Sequence, residues 1–157
     1  MRGKRAEKRK LLPDSIYNNR LITRFINRLM LDGKKTAAQK IVYGALEDLK
    51  EKGKDPVETF ETAIRNVSPK VEVRPRRVGG ASYQIPIEVK GDRREALSIR
   101  WLLSAAKMRP NTEYKSMRAK LAAELLDASS ETGAAIKKRE NTYRMAEANR
   151  AFAHFRW

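Results

Sequence analysis

Cysteine is absent from this chain of 157 residues, and His154 is its one histidine. The chain therefore has no disulfide, no thiolate zinc site and no cysteine nucleophile, and one imidazole is too few for a histidine metal site or a histidine-based triad. The familiar catalytic constellations are thereby excluded. We expect no cofactor, no bound metal and no enzymatic activity.

Acidic residues are scarce, with 19 Asp and Glu against 35 Lys and Arg, so that the net charge is +16. Such an excess repels itself in a compact monomer and predicts a polyanionic partner, nucleic acid before an anionic membrane. Long apolar runs are also missing, since none approaches the roughly 20 residues of a membrane span. The stretch MRGKRAEKRK runs to Pro13 without the apolar core of a secretion signal, so we expect a cytosolic protein.

The apolar residues that are present recur at helical spacing and predict a mainly α single domain of about six helices. The helices are predicted over about 19–31, 36–52, 55–67, 92–108, 112–128 and 134–157. We expect Asp55 and Asp92 to cap the third and fourth helices, and Asn111 or Thr112 to cap the fifth. A basic arm (1–12) precedes the first helix, and the thin apolar face of 134–157 predicts that the last helix and tail dock loosely.

A protruding β-hairpin is predicted over 71–90, between the third and fourth helices, because apolar and polar residues alternate on both sides of Gly79-Gly80. A two-residue turn there would set Val73 against Pro86 and place apolar residues on opposite faces. We therefore expect a loop of about five residues or a bulge. The favoured register opposes Glu72 to Lys90 and Arg74 to Glu88.

Positive charge is expected to form four surfaces: the N-terminal arm, the first helix, the hairpin arm and the region 107–120. On the first helix Arg20, Arg24 and Arg28 recur every four residues on a face that contains no acid. Acids concentrate instead between Glu47 and Glu61, where lysines alternate with them at helical spacing, so this side should face away from nucleic acid. The closing stretch 151–157 mixes aromatic and basic residues, which suits stacking on bases and equally a tail tucked into the core.

Three stretches together carry a family resemblance. Residues 66–69 running into VEVRPRRVGGASYQIPIEV, then 94–101, and finally KKRENTYRMAEANRAFAHFRW closely resemble the bacterial seventh protein of the small ribosomal subunit. The similarity covers essentially the whole chain, and its twenty-residue hairpin is the most specific part. The resemblance implies a helical domain with a protruding hairpin, in agreement with the pattern.

The resemblance also implies a structural ribosomal protein of the cytoplasm. Such a protein is a primary binder of small-subunit ribosomal RNA that nucleates assembly of the head domain and lies near the exit-site tRNA and the mRNA exit path. Its implied partners include neighbouring head proteins and the eleventh small-subunit protein, and it represses its own mRNA. We expect no homo-oligomer.

Site residues follow from combining this resemblance with the basic surfaces. The residues expected to bind ribosomal RNA are Arg2, Lys4, Arg5, Lys8, Arg9, Lys10, Arg20, Arg24, Arg28, Lys34, Lys35, Arg74, Arg76, Arg77, Arg93, Arg94, Lys107, Arg109, Lys115, Arg118 and Lys120. Those expected near tRNA are Val78, Gly79, Gly80, Ala81, Ser82, Tyr83, Lys137, Lys138, Arg139, Tyr143, Arg144 and Arg150. The mechanism would be neutralisation of phosphates by fixed cations, with arginine gripping phosphates through its planar fork.

The alternative from another class is a DNA-bending architectural protein that inserts its ribbon into the minor groove. Such proteins dimerise and carry an apolar wedge at the arm tip, whereas this tip offers Val78 and no dimer helix stands out. An enzyme acting on RNA is the third choice, and it would need a nucleophile, base or cofactor loop that the sequence lacks.

Overall fold

The structure is a computed structural model that describes residues 3 and 10–155, with the backbone alone for Val78 and Phe155. Most of the predicted N-terminal arm, namely Arg2, Lys4, Arg5, Lys8 and Arg9, lies outside the described residues, as does the end of the tail at 156–157. Lys10 is described and exposed.

The described part contains six α-helices and one hairpin between the third and fourth of them, which confirms the predicted fold class. The elements are α1 (Arg20–Leu29), α2 (Lys35–Glu51), α3 (Pro56–Val67), β1 (Val71–Val78), β2 (Ala81–Glu88), α4 (Gly91–Met108), α5 (Met117–Ser129), α6 (Gly133–Ala148) and a short 3-10 helix (Arg150–Phe155). None of the described helices combines the length and apolar character that a bilayer crossing requires.

The core lies around α5, which packs on α2, α3, α4 and α6. Leu121 and Leu125 of α5 are buried there, and Phe25 meets Phe60 edge to face with ring centroids 5.3 Å apart. Burying a side chain of this size contributes about 1.5–3 kcal/mol. The helices therefore form a rigid base for the groups on their outer faces.

One of the predicted helix caps is confirmed and two are wrong. Asp55 Oδ1 accepts hydrogen bonds from the backbone N–H groups of Val57 and Glu58, both at 2.9 Å. Asp92 lies inside α4, whose N-cap is Lys90, and its carboxylate is 3.2 Å from an arginine of α1. The fifth helix begins at Met117 and is capped by Ser116, whose Oγ accepts from the Ala119 N–H at 3.2 Å. The residues before this helix form a turn, in which Arg109 Nη1 donates a hydrogen bond to the Tyr114 hydroxyl at 3.2 Å.

The hairpin register is also different from the prediction. Val78 pairs with Ala81 across a two-residue turn, and Gly79 and Gly80 adopt φ of +57° and +87°, the left-handed region that primed turns require. Val73 therefore does oppose Pro86. The predicted five-residue loop and the pairs Glu72 to Lys90 and Arg74 to Glu88 are wrong.

The reason is that both faces of the hairpin base are covered. On one face Ile85 is fully buried, and on the other Val71 and Pro86 lie beside Tyr143 and Ala146 of α6. The prediction assumed that one face alone would be buried. Since α6 packs beside the second face, apolar residues there are partly buried as well.

The last predicted helix is divided into α6 and the 3-10 helix. Ala135 and Ile136 of α6 are buried in the core, so its first half is firmly docked. The 3-10 helix then returns to the hairpin, where the Phe152 ring lies 5.1 Å from that of Tyr83. The described part of the tail therefore packs on the hairpin, and none of its residues belongs to the buried core.

Candidate nucleic-acid interface

A basic cleft lies between α1 and α4, and we call it the α1–α4 cleft. Both helices turn their apolar faces to the core, so their arginines, spaced four or seven residues apart, face each other along the edges. The cleft consists of two adjoining cavities of about 820 and 250 Å³ that share Leu11, Arg24 and Ala96. Its cations are Lys10, Arg20, Arg24, Arg28, Arg93 and Arg100.

Two arginines of the first helix have acidic partners, which corrects the expectation that this row is uncompensated. Arg24 Nη1 contacts Glu95 closely and lies 3.2 Å from Asp92 Oδ1, while Arg20 Nη2 is 3.8 Å from Glu95 Oε1. The sequence prediction considered only acidic residues within α1, whereas the carboxylates that pair with Arg20 and Arg24 belong to α4. They hold Arg24 in place at the middle of the cleft.

Arg28 and Arg100 are exposed and line the same cavity, and neither makes an ion pair in the described part of the chain. Together with Lys10, which is exposed and likewise has no ion pair among the described residues, they are the cations of the cleft that remain available to an incoming anion. The sequence prediction left Arg100 out of the candidate set. Its spacing of seven residues, or two helical turns, from Arg93 and from Lys107 was the signal that could have found it.

The hairpin arginines are also partly engaged. Glu72 is 7% exposed, and its carboxylate accepts from Arg74 and from Arg93, with Arg93 Nη2 at 2.9 Å. This buried carboxylate ties the base of the hairpin to α4. Farther along the arm Arg76 and Arg77 are exposed, and Arg77 has no ion pair among the described residues.

The cations of the predicted basic surface over 107–120 are divided between engaged and exposed ones. Lys120 is 8% exposed and donates to the Arg109 carbonyl at 2.5 Å, and Arg118 Nη2 binds Asp48 Oδ1 at 2.5 Å. Arg109 binds Glu124 at 2.7 Å and also Asp127. These three cations have partners within the protein, so the expectation that they are uncompensated is wrong, although the Arg118 side chain is still 42% exposed. Lys107 and Lys115 are exposed.

The pKa values of Arg109 and Arg118 reflect their internal ion pairs. Burial lowers the pKa of Arg109, but its hydrogen bonds to Asp127 and Glu124 outweigh burial and raise the pKa above its ordinary value. The hydrogen bond to Asp48 likewise raises the pKa of Arg118. Arg118 reaches Asp48 by crossing Gly44, where an added Cβ would lie 2.7 Å from Arg118 Cδ.

Residues predicted near tRNA fall into two groups. Gly79, Gly80, Ala81 and Ser82 are exposed at the hairpin tip, and Lys137, Lys138, Arg144 and Arg150 are exposed along α6 and just beyond it. Arg139 instead turns inward and donates to the Asn66 carbonyl, and the Tyr143 hydroxyl accepts from the Lys70 N–H at 2.9 Å. The contact of Phe152 with Tyr83 joins the two groups.

The remaining predicted cations lie near the cleft or on its rim. Lys35 lines a further cavity, and Lys10 and Leu11 belong to both this cavity and the cleft. Lys34, the residue before Lys35, is exposed, and Arg94 is half-buried. On the acidic face, Glu61 accepts a 2.7 Å hydrogen bond from Asn19. No group of three His, Cys, Asp or Glu suited to a metal occurs in the part of the chain that the structure describes.

Comparison of the sequence with known proteins identifies a family. The model of a family described as ribosomal protein S7p/S5e matches residues 1–150. A protein of Caldicellulosiruptor saccharolyticus named small ribosomal subunit protein uS7 is 59% identical over 153 residues, which cover 97% of this chain and 96% of the relative. The Streptococcus gordonii protein of the same name is 57% identical over 157 residues and 99% of each chain. The chain belongs to the ribosomal protein S7 family and is thus a structural ribosomal protein, not an enzyme.

Proposed function

We propose that the protein binds small-subunit ribosomal RNA through the α1–α4 cleft and the hairpin arm, and thereby nucleates assembly of the head of the subunit. The family makes it a component of the cytoplasmic ribosome, and its relatives are named as small-subunit proteins. The cleft supplies the RNA-binding surface. Its cations come from the segment before α1, from α1 and from α4, so RNA strands that meet at a junction can be held together between them.

The observation that carries this proposal is the pair Arg28 and Arg100, which line one cavity and have no ion pair within the described residues. Arginine forks bind phosphates in bidentate fashion and stack on exposed bases. Arg24 lines the same cavity and is held by its acidic partners. RNA is the fitting polyanion because A-form helices are recognised by shape, backbone and unpaired bases, which a cleft of fixed cations can meet.

The finer proposals concern the hairpin tip and α6. We place the hairpin tip and α6 near the exit-site tRNA and the mRNA exit path. Neighbouring head proteins and the eleventh small-subunit protein are proposed as further contacts. Repression of the protein's own mRNA is proposed as a second role. Their support is the family resemblance, the exposed cations Arg144 and Arg150, and the contact of Phe152 with Tyr83, which brings the chain after α6 to the hairpin.

The test is a filter-binding series against small-subunit ribosomal RNA over a range of salt concentrations. Each neutralised phosphate contributes roughly −0.7 to −0.9 to the log–log salt slope, so six or more phosphates predict a slope of about −4 or steeper. Replacing Arg28 and Arg100 with Gln should weaken binding and reduce the slope by about 1 to 2.

The matched control is Lys50→Gln with Lys54→Gln, which removes the same charge from the exposed acidic side. It should leave the slope nearly unchanged. Equal effects of the two double variants would show that only net charge matters and would remove the cleft from the proposal. Tighter binding to duplex DNA than to ribosomal RNA at physiological salt would favour the DNA-bending alternative.

A further inference from the structure

A second groove, between α4 and α6, has a chemistry unlike that of the α1–α4 cleft. It encloses about 490 Å³, and its floor is made of Trp101, Ala105, Met108 and Ala134. Met108 is 81% exposed, the largest exposed fraction among the described large apolar side chains. A methionine left this open on a mostly apolar floor is a surface that gains free energy when it is covered.

Positive charge borders this groove without any acid. Arg100, Lys137 and Lys138 line its edges and are exposed, and the remaining lining residues, Ser104 and Asn141, are neutral. An apolar floor with a wholly cationic rim is complementary to an apolar surface flanked by carboxylates. Two helices side by side also form the shape into which an amphipathic segment lays its apolar face.

We propose that the α4–α6 groove docks a segment of another protein of the small subunit, in which large apolar side chains are flanked by Asp or Glu. RNA fits this groove less well, because the apolar surface that RNA offers is the flat face of a base, whereas this floor is largely aliphatic and its one aromatic ring is half-buried against the core. Arg100 lines both the groove and the α1–α4 cleft, so the docked segment would lie beside the bound RNA.

The inference rests on the proposed function, since it requires the protein to be in the small subunit. Oxidation of Met108 tests the inference without any substitution. The rate of Met108 sulfoxide formation by dilute hydrogen peroxide is measured by mass spectrometry in the free protein, in the complex with ribosomal RNA alone, and in purified small subunits. We expect fast oxidation in the first two samples and at least fivefold protection in the third. Met145, which is 48% exposed on α6 and does not line the groove, serves as the internal reference.

A zero-length carbodiimide cross-link in the same subunits identifies the partner's chemistry, because it joins a lysine amine directly to a carboxylate. Lys137 or Lys138 should couple to an Asp or Glu within an apolar segment of another protein. Protection of Met108 by RNA alone, no protection in subunits, or no such cross-link would each overturn the inference. Failure of the proposed function is a separate result, since it would appear as loss of RNA binding in the filter assay.

Discussion

At the scale of single residues, the position of the nearest carboxylate decides what each arginine does. Arg109 is mostly buried and reaches two carboxylates of α5, whereas Arg28 has the same side chain and no ion pair among the described residues. Glu124 is the centre of the internal group, because one oxygen accepts from Arg109 and the other from the Ala135 N–H at the start of α6. A buried acid here replaces the side-chain cap that Thr132 does not supply.

Replacing Glu124 with Ala should therefore destabilise the fold strongly. Removal of one partner of a buried pair leaves the other charge uncompensated and costs about 3–5 kcal/mol. Urea unfolding followed by circular dichroism measures this loss. Asp127→Ala is the control, since the Asp127 carboxylate is 45% exposed and the loss should stay below about 1 kcal/mol. Equal losses in the two variants would contradict the central role of Glu124.

At the scale of elements, the hairpin takes its register from two sources, the Gly79-Gly80 turn and the cover provided by α6. The turn brings Arg77 opposite Ser82, and the register expected from the sequence would have brought Arg74 opposite Glu88. Directly opposed residues lie about 4.5–5.5 Å apart at Cα, within the range of a disulfide. The native chain has no cysteine, so within one molecule an engineered cysteine can pair only with its engineered partner.

We expect the pair Arg77→Cys and Ser82→Cys to form a disulfide readily under mild oxidation, and Arg74→Cys with Glu88→Cys to remain reduced. Thiol titration after oxidation distinguishes the two. A disulfide in the second pair but not in the first would mean that the strands pair in the longer-loop register.

The segment before α1 is held by a second buried carboxylate. Asp14 is 8% exposed and accepts from the Tyr43 hydroxyl at 2.7 Å and from the N–H groups of Ile16 and Tyr17. Burial and then the hydrogen bond to Asp14 raise the pKa of Tyr43 above its ordinary value of 10.0. Burial, Glu47 and Asp14 raise the pKa of Tyr17 in the same direction.

A raised phenol pKa means that folding favours the protonated form. The stabilisation is complete below about pH 10 and is lost as the pH rises through the folded-state pKa. The free energy of unfolding should therefore fall above pH 10, and the fall should be shallower in Tyr43→Phe. Urea unfolding between pH 8 and 11 at constant ionic strength measures both slopes. Identical slopes in the native protein and the variant would contradict this linkage.

At the scale of the whole molecule, charge is separated between two sides. The α1–α4 cleft and the hairpin arm carry cations, while the acids of α2 and α3 lie elsewhere and several are used internally, as Asp48 is by Arg118. The net charge of +16 repels itself when no polyanion is bound. The free protein should therefore be less stable than its packed core alone would make it.

Adding sodium chloride should raise the melting temperature of the free protein and, in the same range, weaken its binding to RNA. Salt shortens the Debye length from about 30 Å at 0.01 M to about 8 Å at 0.15 M, so it screens both the internal repulsion and the attraction to phosphate. Scanning calorimetry and the filter assay measure the two trends. A melting temperature that falls with salt would show that the internal ion pairs outweigh the repulsion.

The sequence predicted more of the fold than of the surface. Periodicity located each of the six α-helices, and the Asp55 cap was correct because a capping box is a local signal. The Asp92 cap failed because α4 begins at Gly91 and so includes Asp92 within the helix. The sequence also predicted that three cations of the later helices, Arg109, Arg118 and Lys120, face RNA. Positive charge can be counted along a chain, but the carboxylates that pair with each cation in the folded protein cannot be located from the sequence.

By itself, then, the sequence determined the helical class, the presence of one hairpin, the cationic excess and the family, all of which depend on local pattern or on totals. The tertiary structure decided which cations are free, which register the hairpin adopts and where the apolar groove lies. The physical reason is that each of these depends on a neighbour distant in the chain: Glu95 for Arg24, Glu124 for Arg109, and α6 for the second face of the hairpin.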